Sequence, residues 1–211
     1  MKRIIPVLFI KNGLIVRSQN FSRHQVIGNV INQAKRLNEW FADELICIDI
    51  SDNNFYDLGR DDHQVKSIDN IIEIIKQMSK VVFMPFSFGG GIRTLDDAVI
   101  RIRSGADKII INTLIFESKS IVEQIIKVLG SQAVVASLDY RIEEGIPQVY
   151  INKGKKKIHK NLYDAVKYCE VLGIGEIFIQ NINLDGSSLG FDIEIIKELV
   201  KTSTLPIVCC S

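Results

Sequence analysis

The sequence predicts an α/β protein of the (β/α)8 TIM-barrel class, made of two half-barrel repeats and here ending after a seventh strand. Three observations carry this expectation. Short apolar runs rich in Val and Ile alternate with amphipathic segments along the whole chain, seven of the former and six of the latter. Continuous apolar strands of this kind belong to parallel sheets covered on both faces. Polar residues suited to a site follow nearly every strand, as a ring of βα-loops supplies, whereas an open sheet gathers them at one switch point. Finally, the stretch Ala42-Asp43-Glu44-Leu45-Ile46-Cys47-Ile48-Asp49 is echoed by Gly173-Ile174-Gly175-Glu176-Ile177-Phe178-Ile179-Gln180. Each copy leads into a loop ending Leu-Gly-(Arg/Phe)-Asp, at 58–61 and 189–192, then a helix and an apolar strand with Pro, at Pro85 and Pro206. A duplicated half-barrel has this appearance.

The elements follow in order. Residues 4–10 read as a buried strand and 28–40 as a helix with Val30, Ile31, Ala34 and Leu37 on one face. A strand is expected at 45–50, a helix at 68–78, a strand at 81–86 and a short helix at 95–102. Next come a strand at 108–111, a helix at 120–129 with Ser120 as its cap, and a strand at 133–138. The remainder reads as helix 161–172, strand 176–180, helix 192–200 and strand 205–210. One stretch breaks the alternation. Residues 140–159 carry Glu143-Glu144-Gly145, the alternating Gln148-Val149-Tyr150-Ile151 and Gly154-Lys155-Lys156-Lys157, the pattern of a hairpin excursion inside a single domain spanning 1–211. The lysine run is a solvated face or an attractor of an anionic substrate.

Composition narrows the function classes. The chain has 211 residues, 46% hydrophobic and 24% charged, which excludes disorder and a disulfide scaffold. Twenty-six basic against 25 acidic residues leave a net charge of +1 and no argument for a nucleic-acid or membrane partner. The apolar stretch at the N-terminus stops at Lys11, too short for a spanning helix, and no small-residue cleavage site follows it. Cys47, Cys169, Cys209 and Cys210 lack Cys-x-x-Cys spacing and read as reduced, buried thiols of a cytoplasmic protein. His24, His63 and His159 have no second ligand at i+4, so neither a metal nor another cofactor is expected.

Several residues have the chemistry of a site. Gly89-Gly90-Gly91-Ile92-Arg93 stands between a strand and a helix, where backbone N–H groups approach an anion; a plain tight turn uses the same residues. Asn112-Thr113, just after the fourth strand, offers an amide and a hydroxyl to the same anion. Asp185-Gly186-Ser187 follows the sixth strand and is either a turn or a second anion loop. Asp49 and Asp139 end strands, where a barrel does its acid–base work.

Taken together, Lys2-Arg3-Ile4-Ile5-Pro6, Lys11-Asn12-Gly13, Ala42-Asp43-Glu44-Leu45 through Asp49, and Gly89-Gly90-Gly91-Ile92-Arg93 resemble the cyclase subunit of imidazole glycerol phosphate synthase of histidine biosynthesis. Gly105-Ala106-Asp107-Lys108 with Asn112-Thr113, Gly130-Ser131-Gln132 through Asp139, and Asp185-Gly186 extend the likeness in order along the chain. The resemblance implies a barrel paired with a glutaminase whose ammonia crosses to the active site. It implies an ammonia gate of Arg3, Glu44, Lys108 and Glu176, each at the start of a strand. It implies two phosphate sites for a phosphorylated or nucleotide-linked small molecule: Asp185, Gly186 and Ser187 at one, Gly89, Gly90, Gly91, Asn112 and Thr113 at the other. Asp139 matches one of the family's two catalytic aspartates.

The second aspartate has no match: Phe9 stands in its place, and a phenyl ring transfers no proton. Asn12 and Arg17 also depart from the family pattern. Loss of such an acid costs several orders of magnitude in rate. Cyclase-like paralogues of bacterial surface-polysaccharide (lipopolysaccharide) clusters resemble the Lys11-Asn12-Gly13 pattern better; there, with a glutaminase and a third component, an acetamido sugar becomes an acetamidino sugar. The first expectation is therefore a lyase- or cyclase-type, ammonia-using synthase subunit of that pathway, with Asp139 catalytic and Asp49 or Asp185 assisting. The alternatives are a true histidine-pathway cyclase, a non-catalytic ammonia-channelling scaffold, and the related isomerase barrel, which Phe9 disfavours. Family members continue through an eighth strand, so the domain is expected to be C-terminally incomplete.

Overall fold

A computed structural model describes residues 2–52, 56, 68 and 70–210. The chain divides into two compact units, one of Met1–Arg17 with His24–Ile110, the other of Ser18–Arg23 with Ile111–Ser211. Each contains one copy of the internal repeat. The loop expected at 58–61 and His63 lie outside the described residues.

In the first unit the strands run β1 (Val7–Lys11), β2 (Leu14–Gln19), β3 (Arg23–Asn29), β4 (Leu45–Asp49), β5 (Phe86–Gly89) and β6 (Lys108–Ile111), in the spatial order β6-β5-β4-β1-β2-β3. Strands β1, β4, β5 and β6 pair in parallel. Register sorts their side chains cleanly. Leu8 and Ile10, with Leu45, Cys47, Phe86 and Phe88, enter a core with Val30, Ala34 and Leu37 of α1 (Val30–Glu39) and Ile71, Ile74, Ile75 and Met78 of α2 (Ile71–Met78). Each such fully buried Ile or Leu is worth about 2 kcal/mol. The alternate residues Val7, Phe9, Ile46, Ile48, Ser87, Gly89, Lys108 and Ile110 share the opposite face, because side chains alternate along a strand.

Helix starts are set by side chains. Asn29 caps α1 through the amides of Ile31 and Asn32, and Asn70 caps α2 through that of Glu73. Thr94 and Asp97 form a capping box at α3 (Leu95–Arg103).

The β1–β2–β3 meander is absent from the elements read from the sequence. Its signal was present: Asn12 and Gly13, both at positive φ, form the two-residue turn that joins Lys11 to its partner Leu14. Two further expectations are corrected. The run 81–84 is a connector and the strand is Phe86–Gly89: the Val81 and Val82 amides continue α2 by donating to Met78, and Pro85 brings no N–H to a ladder. Ser120 lies inside a helix whose N-cap position is Ser118, without a side-chain cap bond.

The second unit is built on β7 (Val134–Glu143), β10 (Glu176–Asn181) and β11 (Ile207–Cys210), with β10 parallel to both others. Strand β7 runs on into an antiparallel ribbon with β8 (Ile146–Ile151) and β9 (Lys156–Asn161). Helices α4 (Thr113–Glu117), α5 (Lys119–Leu129), α6 (Leu162–Leu172) and α7 (Ile193–Thr202) complete it, α4 being a short turn of helix that the apolar pattern did not announce. One face of the β7–β10 pair carries Ala136, Leu138, Ile177 and Ile179; the other carries Val135, Ser137, Asp139, Glu176, Phe178 and Gln180. Among the described residues no helix is long and apolar enough to cross a membrane. None of Cys47, Cys169, Cys209 and Cys210 forms a disulfide; Cys47 and Cys169 are buried.

Candidate functional site

The second unit contains a buried polar cluster on the Asp139 face of β7 and β10. Asp139 is 7% exposed and accepts from Ser137 Oγ at 3.2 Å and from Asn112 Nδ2 at 3.3 Å. Asn112 Nδ2 also donates to the Ser137 carbonyl at 2.9 Å, which holds it beside the carboxylate. Burial pushes the Asp139 carboxyl up to about 7; the Ser137 hydrogen bond opposes this and the charge of Asp185 adds to it. A carboxyl poised near neutrality can both take and give a proton.

Asp185 is 3% exposed and serves as an anchor. It accepts from Ser18 Oγ at 2.7 Å, Gln180 Nε2 at 3.0 Å and the Phe21 amide at 3.1 Å. These bonds pin the loop after β10 to the 18–23 turn. Gly186, at φ +66°, packs so closely that an added Cβ would lie 2.3 Å from the Ser18 carbonyl. Ser187 turns its hydroxyl to the Leu184 carbonyl at 2.8 Å. Thr113 Oγ1 donates to Asn112 Oδ1 at 3.2 Å and accepts from the Asn152 amide at 3.0 Å. Glu176, at the start of β10, is 6% exposed and shares the face of Asp139.

In the first unit, Glu44 joins Arg3 on one side and Lys108 on the other, the latter at 3.4 Å. Lys108 opens β6, Glu44 directly precedes β4 and Arg3 lies four residues before β1, so three of the four expected gate residues of this chain form one chain of charges. Phe9 lies on the face away from Leu8 and Ile10, in register with Ile48 and Val16. It is not packed beneath α1 and α2.

The glycine loop after β5 is tightly seated. A Cβ on Gly89 would meet Ile110 at 2.9 Å, and one on Gly90, at φ +109°, would lie 2.3 Å from the Asp49 carbonyl. The amides of Arg93 and Thr94 already donate to Asp97, so the donors left to an anion are those of the loop itself.

Asp49 has Ile10 as its register partner, on the face that packs under the helices, and it bonds Ser51 and, at 2.9 Å, the hydroxyl of Tyr56, itself part of that core. An acid at a strand end points where the two-residue alternation sends it, and here that is outward. Burial raises its pKa, against bonds from Ser51 and Tyr56 and the charge of Arg101.

Sequence reading did not single out Ser18, Arg101, Ser137 or Gln180. Ser137 was findable, two residues before Asp139 on one strand face, and Gln180 was a polar residue in an apolar run. Arg101 shares with Ala98 the buried stripe of α3. Ser18 had no local signal, because its partner is 167 residues away.

Comparison with known proteins places these observations in a family. The profile of the family described as "Histidine biosynthesis protein" matches residues 3–211. The chain is 32% identical to the imidazole glycerol phosphate synthase subunit HisF of Natranaerobius thermophilus, covering 98% of this chain and 78% of that one. It is 34% identical to the protein of that name from Saccharolobus solfataricus and to that from Lysinibacillus sphaericus, with the same coverages. The α/β class with parallel strands, expected from the sequence, agrees with a family of TIM barrels. The chain belongs to the histidine biosynthesis protein family, with the HisF cyclase subunits of imidazole glycerol phosphate synthase as its relatives.

Proposed function

We propose that this chain is an ammonia-using synthase subunit of the HisF kind that works with a glutaminase of the class I amidotransferase type, and that its acceptor is an acetamido sugar of a surface polysaccharide rather than the histidine-pathway substrate. The observation that carries the altered chemistry is Phe9. It occupies the position where the resemblance puts a catalytic aspartate, and its side chain takes the strand face away from the helices. An aspartate there would be a proton carrier; a phenyl ring leaves Asp139 as the acid–base group.

Asp139 has the properties for that role. Its carboxyl, near half-ionised at neutral pH, takes a proton as ammonia adds to an electrophilic carbon and returns one to the departing oxygen. Asn112 and Ser137 restrict its rotation, which keeps the reacting oxygen in place. The Gly91 amide, which no hydrogen bond among the described residues uses, suits a phosphoryl group of the substrate. The Arg3–Glu44–Lys108 chain is the gate through which neutral ammonia enters once an ion pair opens.

The second reading is imidazole glycerol phosphate formation itself, favoured by the names of the relatives. One assay separates them. The purified protein is given the histidine-pathway bis-phosphate substrate with an ammonium salt. The sugar reading expects negligible imidazole product, with activity created or raised in Phe9→Asp. Rapid turnover by the unaltered protein, little changed in Phe9→Asp, overturns it.

A further inference from the structure

The loop after β5 is held from below by a buried cation. Arg101 of α3 is 4% exposed, yet it forms no ion pair within salt-bridge distance among the described residues. Its Nη2 donates to the Gly90 carbonyl at 2.7 Å and its Nη1 to the Asp97 carbonyl at 2.7 Å. Its Nε is buried without a hydrogen-bond partner among the described residues. Burial works against the charge, and the carboxylates of Asp97 and Asp49 act to keep it. A methionine or leucine would fill the same space without stranding a donor in the core. The arginine is therefore explained by what it does to the two carbonyls.

The consequence follows from peptide geometry. The Gly90–Gly91 peptide is trans, so the Gly90 C=O and the Gly91 N–H point in opposite directions across one rigid plane. With the carbonyl drawn inward to a buried guanidinium, the Gly91 N–H faces outward, and Gly91 is exposed. A cation on the carbonyl oxygen also draws electrons through the amide and strengthens that N–H as a donor. The plane cannot slip, because Gly90 abuts the Asp49 carbonyl and Nη1 ties the assembly to the first turn of α3. Among the described residues no hydrogen bond uses the Gly91 N–H.

We propose that Arg101 is a positioning residue for a phosphoryl anion bound by the Gly91 N–H: it orients and polarises the Gly90–Gly91 peptide without touching the ligand. The proposal rests on the phosphoryl role given above to the glycine loop.

The test is a titration of the 15N-labelled full chain with inorganic phosphate, followed at the Gly91 amide. The wild type is expected to show a saturable Gly91 shift. Arg101→Met is expected to weaken the affinity read there by about tenfold, the scale of one charge-assisted bond, with Arg101→Lys in between, since an ammonium keeps the charge but not the two-pronged reach. Thermal melts of the same samples report on folding. A Gly91 shift that survives with unchanged affinity in folded Arg101→Met overturns the role of Arg101 alone. If that variant does not fold, Arg101→Lys decides, and wild-type affinity there overturns it equally. Absence of any Gly91 shift in the wild type overturns the inference together with the phosphoryl role of the loop, and leaves the acid–base reading of Asp139 to its own assay.

Discussion

Ser137 and Asp139 stand two residues apart on one face of β7, with the serine hydroxyl 3.2 Å from the aspartate carboxyl. That bond favours the ionised form, yet burial outweighs it and lifts the carboxyl to about 7. A raised carboxyl pKa means that the folded protein prefers the protonated acid. The stability this contributes is complete below the ordinary aspartate range and is lost as pH rises through about 7.

Asp139→Asn, which keeps the shape and cannot ionise, is therefore expected to melt higher than the unaltered protein at pH 8. The advantage should be at most a few kcal/mol and should shrink as the pH is lowered from 7 towards 4. Thermal unfolding across that range measures it; a pH-independent difference counts against the raised pKa. Under the proposed function the same variant loses the ionisation near neutrality from its pH–rate profile.

Asp185 anchors three donors in a buried setting. Asp185→Ala strands the Ser18 hydroxyl, the Gln180 amide and the Phe21 N–H at once, with an expected loss of about 3 to 5 kcal/mol in urea unfolding. Ser18→Ala removes one partner and should cost about 1 to 2 kcal/mol. Equal stability of Asp185→Ala would show that the cluster rearranges freely.

Gly90→Ala places a methyl group against the Asp49 carbonyl at a φ of +109°. Strain and overlap together are expected to cost about 2 to 4 kcal/mol or to displace the loop. Gly28→Ala is the matched control, since nothing lies within 4 Å of its added Cβ, and it should fall within about 0.5 kcal/mol of the unaltered protein.

Lys108→Ala removes one arm of the Arg3–Glu44–Lys108 chain. If that chain gates ammonia, turnover with glutamine and the glutaminase falls by about tenfold while turnover with ammonium salts is unchanged. Equal loss in both assays points to damage to the barrel instead.

Much was legible without coordinates because it is local or periodic. Alternation of apolar runs and amphipathic segments gave the α/β class; helices 30–39 and 71–78 fall within the expected stretches, and 95–103 and 193–202 overrun theirs by one and two residues. Errors arose where local signals compete. Val81-Val82-Phe83-Met84 is apolar enough for a strand, yet the carbonyl of Met78 takes its first amides. Asn12-Gly13 announced a hairpin that the eye for βα alternation passed over.

What the sequence determined by itself is the alternation of the main strands and helices, the apolar face of helix 28–40, and the replacement of an expected acid by Phe9, since these depend only on residue type and on periods of 2 and 3.6. Tertiary structure alone decided what each charge does. Asp49 and Asp139 look alike in the sequence, each ending an apolar strand. Register turned the first towards Tyr56 and the helices and set the second among Ser137, Asn112 and Gln180. Arg101 and Ser18 acquired roles only when the Gly90 carbonyl and the Asp185 carboxylate came within 3 Å of them, and free energy at that range depends on geometry that no single stretch of chain contains.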